Sequence, residues 1–442
     1  MASTYLTRTP GSASNRQTWT FSVWIKRSGI SEGVYNTIWN AGAGSGDDIR
    51  FSITTNDQLT LGTDATTFFV TNLRLRDPSA WYHLVLEFDT TNATAADRAK
   101  LYVNGEQITS FATNNISSLS GSYAWNNTVG HAIGRQYSSG TAYFNGDMAH
   151  IHFCDGTAYQ SSAFGETDST TGIWKPKLSP SVTYGTNGFF LKFASSGSMG
   201  TDSSGNGNTF TVAGGNLTQT QDTPSNVFAT WNSLDKDGVA SLSNGNTTFS
   251  SSASGGSSNC NLGMDSGKWY FELKHTSVNN AWVGIVPQGL YQAGTDLFTK
   301  NYTTGIYASN PNIYQNGTNN GSLGGGISTN DIMMYAIDMD NNQIYIGKNG
   351  NWNDGLGGGF DQSDFSNATA YSFNRYDDFY VVASVNGSGS TGYAHQINFG
   401  NGYFGTTAVS TANSDANGYG LFEYSVPSGY YALCTKNIKE FG

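Results

Sequence analysis

Residues 18–27, Thr-Trp-Thr-Phe-Ser-Val-Trp-Ile-Lys-Arg, set Trp19, Phe21, Val23 and Ile25 at every second position. Two is the period of a pleated strand, whose alternate side chains leave opposite faces, and a helix of period 3.6 cannot gather that set on one side. Trp24 falls on the other face. Similar stretches near 35–40, 49–54, 67–75, 81–89 and 100–108 predict further strands. The pair Asn104-Gly105 supplies the two positive φ angles that a type I′ hairpin turn needs. Charged residues make up only 12% of the chain, against roughly 25% in ordinary soluble domains. The polar surface must then come from Ser, Thr, Asn and Gly, which favour turns and compete against helix interiors. Aromatics reach 14%, so a few large rings can fill a sandwich core in place of many aliphatics. The expected class is all-β.

A chain of 442 residues is too long for one ordinary core. The patterning predicts two tandem β-sandwiches, at 1–178 and 237–405. Residues 179–236 form a connector packed on the first sandwich, and 406–442 a C-terminal tail segment. The segments Trp-Tyr-His-Leu at 81–84, Leu-Tyr-Val-Asn-Gly at 101–105 and Phe-Asn-Gly-Asp-Met-Ala at 144–149 resemble the LamG/concanavalin A-like jelly rolls. Lys-Trp-Tyr-Phe-Glu-Leu from Lys268 and Ile-Asp-Met-Asp-Asn-Asn from Ile337, followed by Lys-Asn-Gly at 348–350, resemble a SPRY domain, a bent two-sheet sandwich. Arg-Thr-Pro-Gly-Ser-Ala from Arg8, Gly-Ile-Trp-Lys-Pro-Lys from Gly172, Asp-Thr-Pro-Ser-Asn-Val-Phe-Ala from Asp222 and the Pro-Ser-Gly-Tyr-Tyr-Ala-Leu-Cys ending from Pro427 are similar to marine-phage structural proteins with this pairing. That resemblance implies a virion protein of the tail-fibre, spike or capsid-fibre kind.

The formal net charge is −11, with no basic stripe to release counterions from a phosphate backbone. Nucleic acid and anionic membranes are therefore not expected partners. Lys26 with Arg27, and Arg74 with Arg76, read as solvated strand faces. Neither an apolar leader nor a run of 18 apolar residues is present, so synthesis in the host cytoplasm without a signal peptide is expected, with display on the virion surface. The three cysteines, Cys154, Cys260 and Cys434, are far apart and spell neither a disulfide framework nor a zinc knuckle.

Jelly rolls also host glucanases, which need paired carboxylates on one strand face. Glu87 and Asp89 share a face, but Thr91 and Asn92 stand where the related class carries a third carboxylate. No catalytic residue is assigned. His150 and His152 have the i, i+2 spacing of half a transition-metal site, although alternation hands Ala149, Ile151 and Phe153 to the core and leaves the imidazoles outward. No cofactor is required. Calcium is a second candidate ion, at Asp47 and Asp48 on a glycine-rich loop and at Asp202 with Asn206 in Ser-Gly-Asn-Gly. Loop rings that alternation does not consign to the core include Tyr35, Tyr137, Tyr291, Tyr302, Tyr314 and Trp352. The SPRY resemblance favours Tyr291, Tyr314 and Trp352, with Asn316 alongside, as a ligand-binding surface. The expected function is non-catalytic recognition of a host-surface glycan or protein from a phage particle. The partners would be other virion proteins and the host surface, with a homo-oligomer, a trimer first, as the assembly. The alternatives are a decoration protein that never touches the host and a polysaccharide depolymerase.

Overall fold

The computed structural model describes residues 3–42, 48–137, 139–288, 300–387 and 392–442. Two compact units result: the first runs through Gln219 with Thr223–Ser225, the second comprises Thr220–Asp222 and Asn226–Gly442. Both are β-sandwiches, and one short α-helix, Thr435–Phe441, stands among the described residues.

In the first unit a six-stranded sheet holds, in order, Phe189–Leu191, Gly146–Asp155, Thr18–Arg27, Trp81–Asp89, Ala99–Val103 and Glu106–Gln107. It packs on an eight-stranded sheet in which Asn36–Ala41, Ile49–Ile53, Gln58–Gly62 and Thr67–Arg74 are successive neighbours. The alternating rings meet between the sheets. Trp19 stacks on Phe88 at 4.3 Å, and Trp39 on Trp125 at 4.5 Å. Trp19 meets Trp125 edge-on at 4.7 Å. Rings of this size bury enough area to hold two sheets with little aliphatic help. Asn104 and Gly105 adopt φ of 50° and 91° at the expected hairpin.

Within 179–236, Phe189–Leu191 pairs with Gly146–Asp155 and Thr211–Ala213 with Tyr5–Arg8, both in the first unit, while Trp231–Lys236 is a strand of the second. One feature departs from the sequence reading. Lys26 and Arg27 are buried, not solvated. Arg27 donates to Asp57 at 2.8 Å and to the Leu75 carbonyl at 2.7 Å. Burial alone would push the Asp57 carboxyl up. The donors from Ser31, Arg27 and Arg76 overcome that and hold it at about 2.

In the second unit a seven-stranded sheet runs Trp231–Lys236, Ser257–Cys260, Tyr380–Asn386, Ala281–Pro287, Thr304–Tyr307, Asn312–Gln315 and Thr318–Ser322. The facing sheet is built around Tyr393–Asn398, Lys268–Ser277, Ile332–Asp338 and Gln343–Lys348. Trp231, Trp269, Trp282, Tyr335 and Tyr393 are buried between them. The 406–442 stretch belongs to this body. Tyr431–Ala432 pairs in parallel with Lys268–Ser277, and Phe422, Tyr430, Ala432 and Cys434 form a second core with Tyr270, Met334 and Trp352.

Candidate recognition site

The strand Tyr5–Arg8 turns Leu6 into the core, so Tyr5 faces away from it. Its neighbour His131–Ile133 leads into an excursion, 134–145, before Gly146–Asp155 begins. Its described residues, 134–137 and 139–145, are tied down at several points. The amide of Gly134 donates to the Ile38 carbonyl at 2.9 Å, and that of Thr37 to the Ala142 carbonyl at 2.9 Å. The Tyr137 amide donates to Asn40 Oδ1 at 2.6 Å, and the Asn145 amide to Asn36 Oδ1 at 3.1 Å. The Tyr137 ring lies on Gly130, where a Cβ would come within 2.0 Å of it. Only glycine leaves that space.

The result is a fixed aromatic platform. The Arg135 guanidinium sits 3.8 Å from the centre of the Tyr5 ring and 5.9 Å from that of Tyr137. Tyr5 and Tyr143 are 6.3 Å apart. The exposed hydroxyls of Ser139 and Thr141 lie 2.6 Å apart on the same excursion. All four platform side chains are half-buried. Arg135 Nε is enclosed with no acceptor, and Nη2 reaches only the Tyr137 carbonyl, at 3.4 Å. Among the described residues no carboxylate pairs with this guanidinium, whereas Arg27, Arg50 and Arg76 all have one. A cation between tyrosine faces, short of acceptors, is equipped to meet an acceptor from outside. Sequence reading had only Tyr137 of this group. The remaining signal was an isolated arginine after a glycine, between Tyr5 and two later tyrosines, in a chain poor in charge.

The residues singled out from sequence are scattered. Trp352 is core instead of surface: it is 4% exposed, lies in Asn351–Asn353 and meets Phe365 edge-on at 4.8 Å. Tyr314 is a half-buried member of Asn312–Gln315, its ring 6.3 Å from that of Tyr307. Asn316 turns the following hairpin at φ 53° and accepts the Asn374 amide at 2.8 Å. Tyr291 and Asp47 lie outside the described residues.

Asp202 and Asn206 spend their polar atoms on the loop itself. The Asp202 carboxylate accepts the amides of Phe190, Ser204 and Asn208 and the Ser204 hydroxyl, at 2.8–2.9 Å. Asn206 donates to the carbonyls of Gly185 and Gly188. That is a loop clasp, not an open oxygen cage. Asp48 is buried, 3.9 Å from Arg50. No group of three His, Cys, Asp or Glu able to hold a metal ion occurs among the described residues.

His150 and His152 do not share an outward face. A bulge between Ala149 and His152 puts His150 at φ 46° and interrupts the alternation. His152 is 2% exposed, stacked on Phe190 at 3.9 Å and hydrogen-bonded to Tyr184 Oη at 2.9 Å. Its pKa is pushed well below the ordinary range by burial, then by the neighbouring His150 and His83. His83, beside it, accepts the Trp174 indole N–H on Nδ1 at 2.9 Å. Nε2 therefore carries the proton and donates to Ser22 Oγ at 2.8 Å. With that tautomer His83 cannot take a proton from Ser22, so the pair is a staple and not a nucleophile with its base.

Glu87 accepts the Tyr102 hydroxyl at 3.0 Å and lies 3.6 Å from Lys100. Asp89 accepts from Thr18 and from the amide and hydroxyl of Thr91. Both carboxylates are committed to neighbours on their own sheet.

Residues 2–162 match a family model described as the concanavalin A-like lectin/glucanases superfamily. Over that stretch the first unit is similar to concanavalin A-like domains. The description spans lectins and glucanases alike, so it does not choose between binding and hydrolysis. No curated protein matches the chain. Among solved structures, the SPRY domain of human HERC1 aligns at 16% identity over 38% of this chain and 96% of that domain, TM-score 0.31. The PSpry domain of TRIM65 aligns at 10% identity over 38% and 91%, TM-score 0.30. Stonustoxin aligns at 13% identity over 38% of this chain and 27% of its own, TM-score 0.27.

Proposed function

We propose that the chain is a non-catalytic recognition protein whose first unit presents the Tyr5–Arg135–Tyr137–Tyr143 platform to a cell-surface glycan. The observation that carries this is the guanidinium held between tyrosine rings on a pinned excursion, without a carboxylate of its own among the described residues. Rings of limited rotamer freedom beside hydroxyls bind at low entropic cost. The hydrogen bonds that occupy Glu87 and Asp89 support binding over hydrolysis. Display on a phage particle rests on the sequence resemblances around Arg8, Gly172, Asp222 and Pro427. There the protein attaches to other virion proteins by non-covalent contact, and many copies convert weak single contacts into avidity.

The test is a glycan array and a pull-down from host envelope material with the purified full chain. Retention that falls when Tyr143→Ala is substituted supports the reading. Incorporation into particles with no retention by any envelope fraction would instead indicate a decoration protein. Shortening of a host exopolysaccharide by the chain, lost in Glu87→Gln, would make it a depolymerase.

A further inference from the structure

We infer that the Arg135 platform takes a carboxylate-bearing saccharide unit, of the uronic acid class, in preference to a neutral sugar. This deepens the recognition reading above and rests on it. The argument starts from the guanidinium. Its planar fork matches a carboxylate in bidentate fashion, which a neutral hydroxyl cannot reproduce. Arg27, Arg50 and Arg76 already have a carboxylate, Arg27 and Arg76 sharing that of Asp57, while Arg98 and Arg375 each satisfy several donors on backbone carbonyls. Arg135 is left with one 3.4 Å contact to a carbonyl and none to an acid. In a chain of net charge −11 an arginine kept apart from every described carboxylate retains its full capacity for an external one.

The surroundings narrow the class further. Tyr5 lies against the guanidinium at 3.8 Å, and Nε is enclosed. Nη1 and Nη2 are then the donors left to meet a carboxylate end-on. Tyr137 and Tyr143 add aromatic faces suited to the C–H side of a pyranose, and Ser139 with Thr141 adds paired hydroxyls. An acid on a hydroxylated ring satisfies all three kinds of group. A carboxylate on a peptide side chain would leave the hydroxyls and ring faces idle. Because Asn40, Asn36 and Gly130 hold the excursion in place, little ordering remains to be done on binding.

The experiment titrates the full chain with three short oligosaccharides of equal length, one of galacturonate, one of neutral galactose and one of sulfated galactose, by calorimetry. The galacturonate oligomer is expected to bind roughly tenfold or more tighter than the neutral one. That preference should shrink as salt is raised from about 50 to about 500 mM. Arg135→Gln should abolish it, and Arg135→Lys should retain part of it, since charge survives without the fork. Thermal melting of each variant establishes that the unit is folded, and Tyr143→Ala, outside the charge pair, should weaken acidic and neutral oligomers together. Equal binding of acidic and neutral oligomers, or an Arg135→Gln variant that keeps the preference, overturns the inference while leaving glycan recognition standing. Tighter binding of the sulfated oligomer overturns the carboxylate assignment. Absence of binding to all three, with no retention on the glycan array, removes both readings.

Discussion

In the first unit residues 156–187 lie over the outer face of the six-stranded sheet; in the second, 406–442 lie over the outer face of the sheet built on Lys268–Ser277. The two covers answer one need, since Val85, Tyr102 and Cys154 on one face and Tyr270, Met334 and Ala336 on the other would otherwise meet water. They are fastened by different balances of neutral and acidic groups. Along its length the first cover is held by neutral groups: Trp174 on His83, Tyr184 on His152, and Phe164 over both Cys154 and His152; only at its end does a buried acid, Asp155, accept the Asn187 amide at 3.0 Å. Trp174 fits because Gly105 and Gly165 have no Cβ, which would come within 2.9 and 2.4 Å of its ring. The second cover is held by buried acids. Glu272 accepts the amides of Glu423 at 2.9 Å and Tyr424 at 2.8 Å, and the Tyr270 hydroxyl at 3.0 Å. Asp415 accepts the amide of Ala432 at 3.0 Å and Asn437 Nδ2 at 2.7 Å. Neutral staples tolerate the loss of one partner. A buried acid at the centre of several donors does not, because every donor is stranded with it.

The largest effect should therefore come from Glu272→Ala. It leaves two partly buried amides and a buried phenol without their acceptor, and should cost the second unit about 3 kcal/mol. Denaturant unfolding would report the loss, and limited proteolysis should cut first within 406–442. Glu272→Gln keeps a neutral acceptor and should cost much less. Equal stability of Glu272→Ala and the parent would mean that the cover is held by Phe422 and Tyr430 alone.

The second test separates the covers by pH. Burial pushes the Glu272 carboxyl up to about 7 from 4.5, against the donors that pull it down. A raised folded value contributes stability that is present below 4.5 and is lost as pH climbs through about 7. The full loss is about 3 kcal/mol. His83 runs the other way. Burial, and then His150, lower it from 6.5 to about 3, so its contribution is present above 6.5 and is lost as pH falls toward 3. Between about pH 4.5 and 7, protection from hydrogen exchange in 406–442 should fall as pH rises while that of 156–187 is kept or gained; in Glu272→Gln the fall should vanish. Parallel behaviour of the two covers would erase the distinction between them.

What could be read in the sequence divides along physical lines. Strands whose buried face is aromatic or branched announce themselves, and Thr18–Arg27 and Trp81–Asp89 run where their alternation put them. Ala240–Ser243 and Ser257–Cys260 bring few large side chains and carry no such pattern. Arg27 reads as a solvated end because its partner Asp57 lies in a distant turn at φ 66°, and pairing across sheets leaves no local trace. Trp352 follows a glycine turn and reads as a loop ring. Its cover comes from Phe365 and the second core with the C-terminal residues, which no nearby spacing foretells. The recognition platform is hidden for the same reason: Tyr5 and Arg135 are 130 positions apart in sequence and meet only because Tyr5–Arg8 pairs with His131–Ile133.

The smallest effect probes the neutral staple directly. Trp174→Phe keeps an aromatic ring between Gly105 and Gly165 but removes the indole N–H that His83 Nδ1 accepts. The loss should be about 1 kcal/mol, the net worth of one neutral hydrogen bond, because the packed ring remains and only one acceptor is stranded. The sharper readout is the tautomer. In the parent, Trp174 holds the proton on Nε2, where Ser22 accepts it. Without the indole N–H the proton is free to move to Nδ1, with Ser22 then donating to Nε2, and nitrogen chemical shifts of His83 should record a mixture. Ser22→Ala in the same background removes the other partner, and its cost should exceed the sum of the separate losses, since His83 would be buried with no partner on either nitrogen. Simple additivity would show that the imidazole is held by its stacking on Trp24, at 4.7 Å, and that the two hydrogen bonds only orient a ring already fixed by packing.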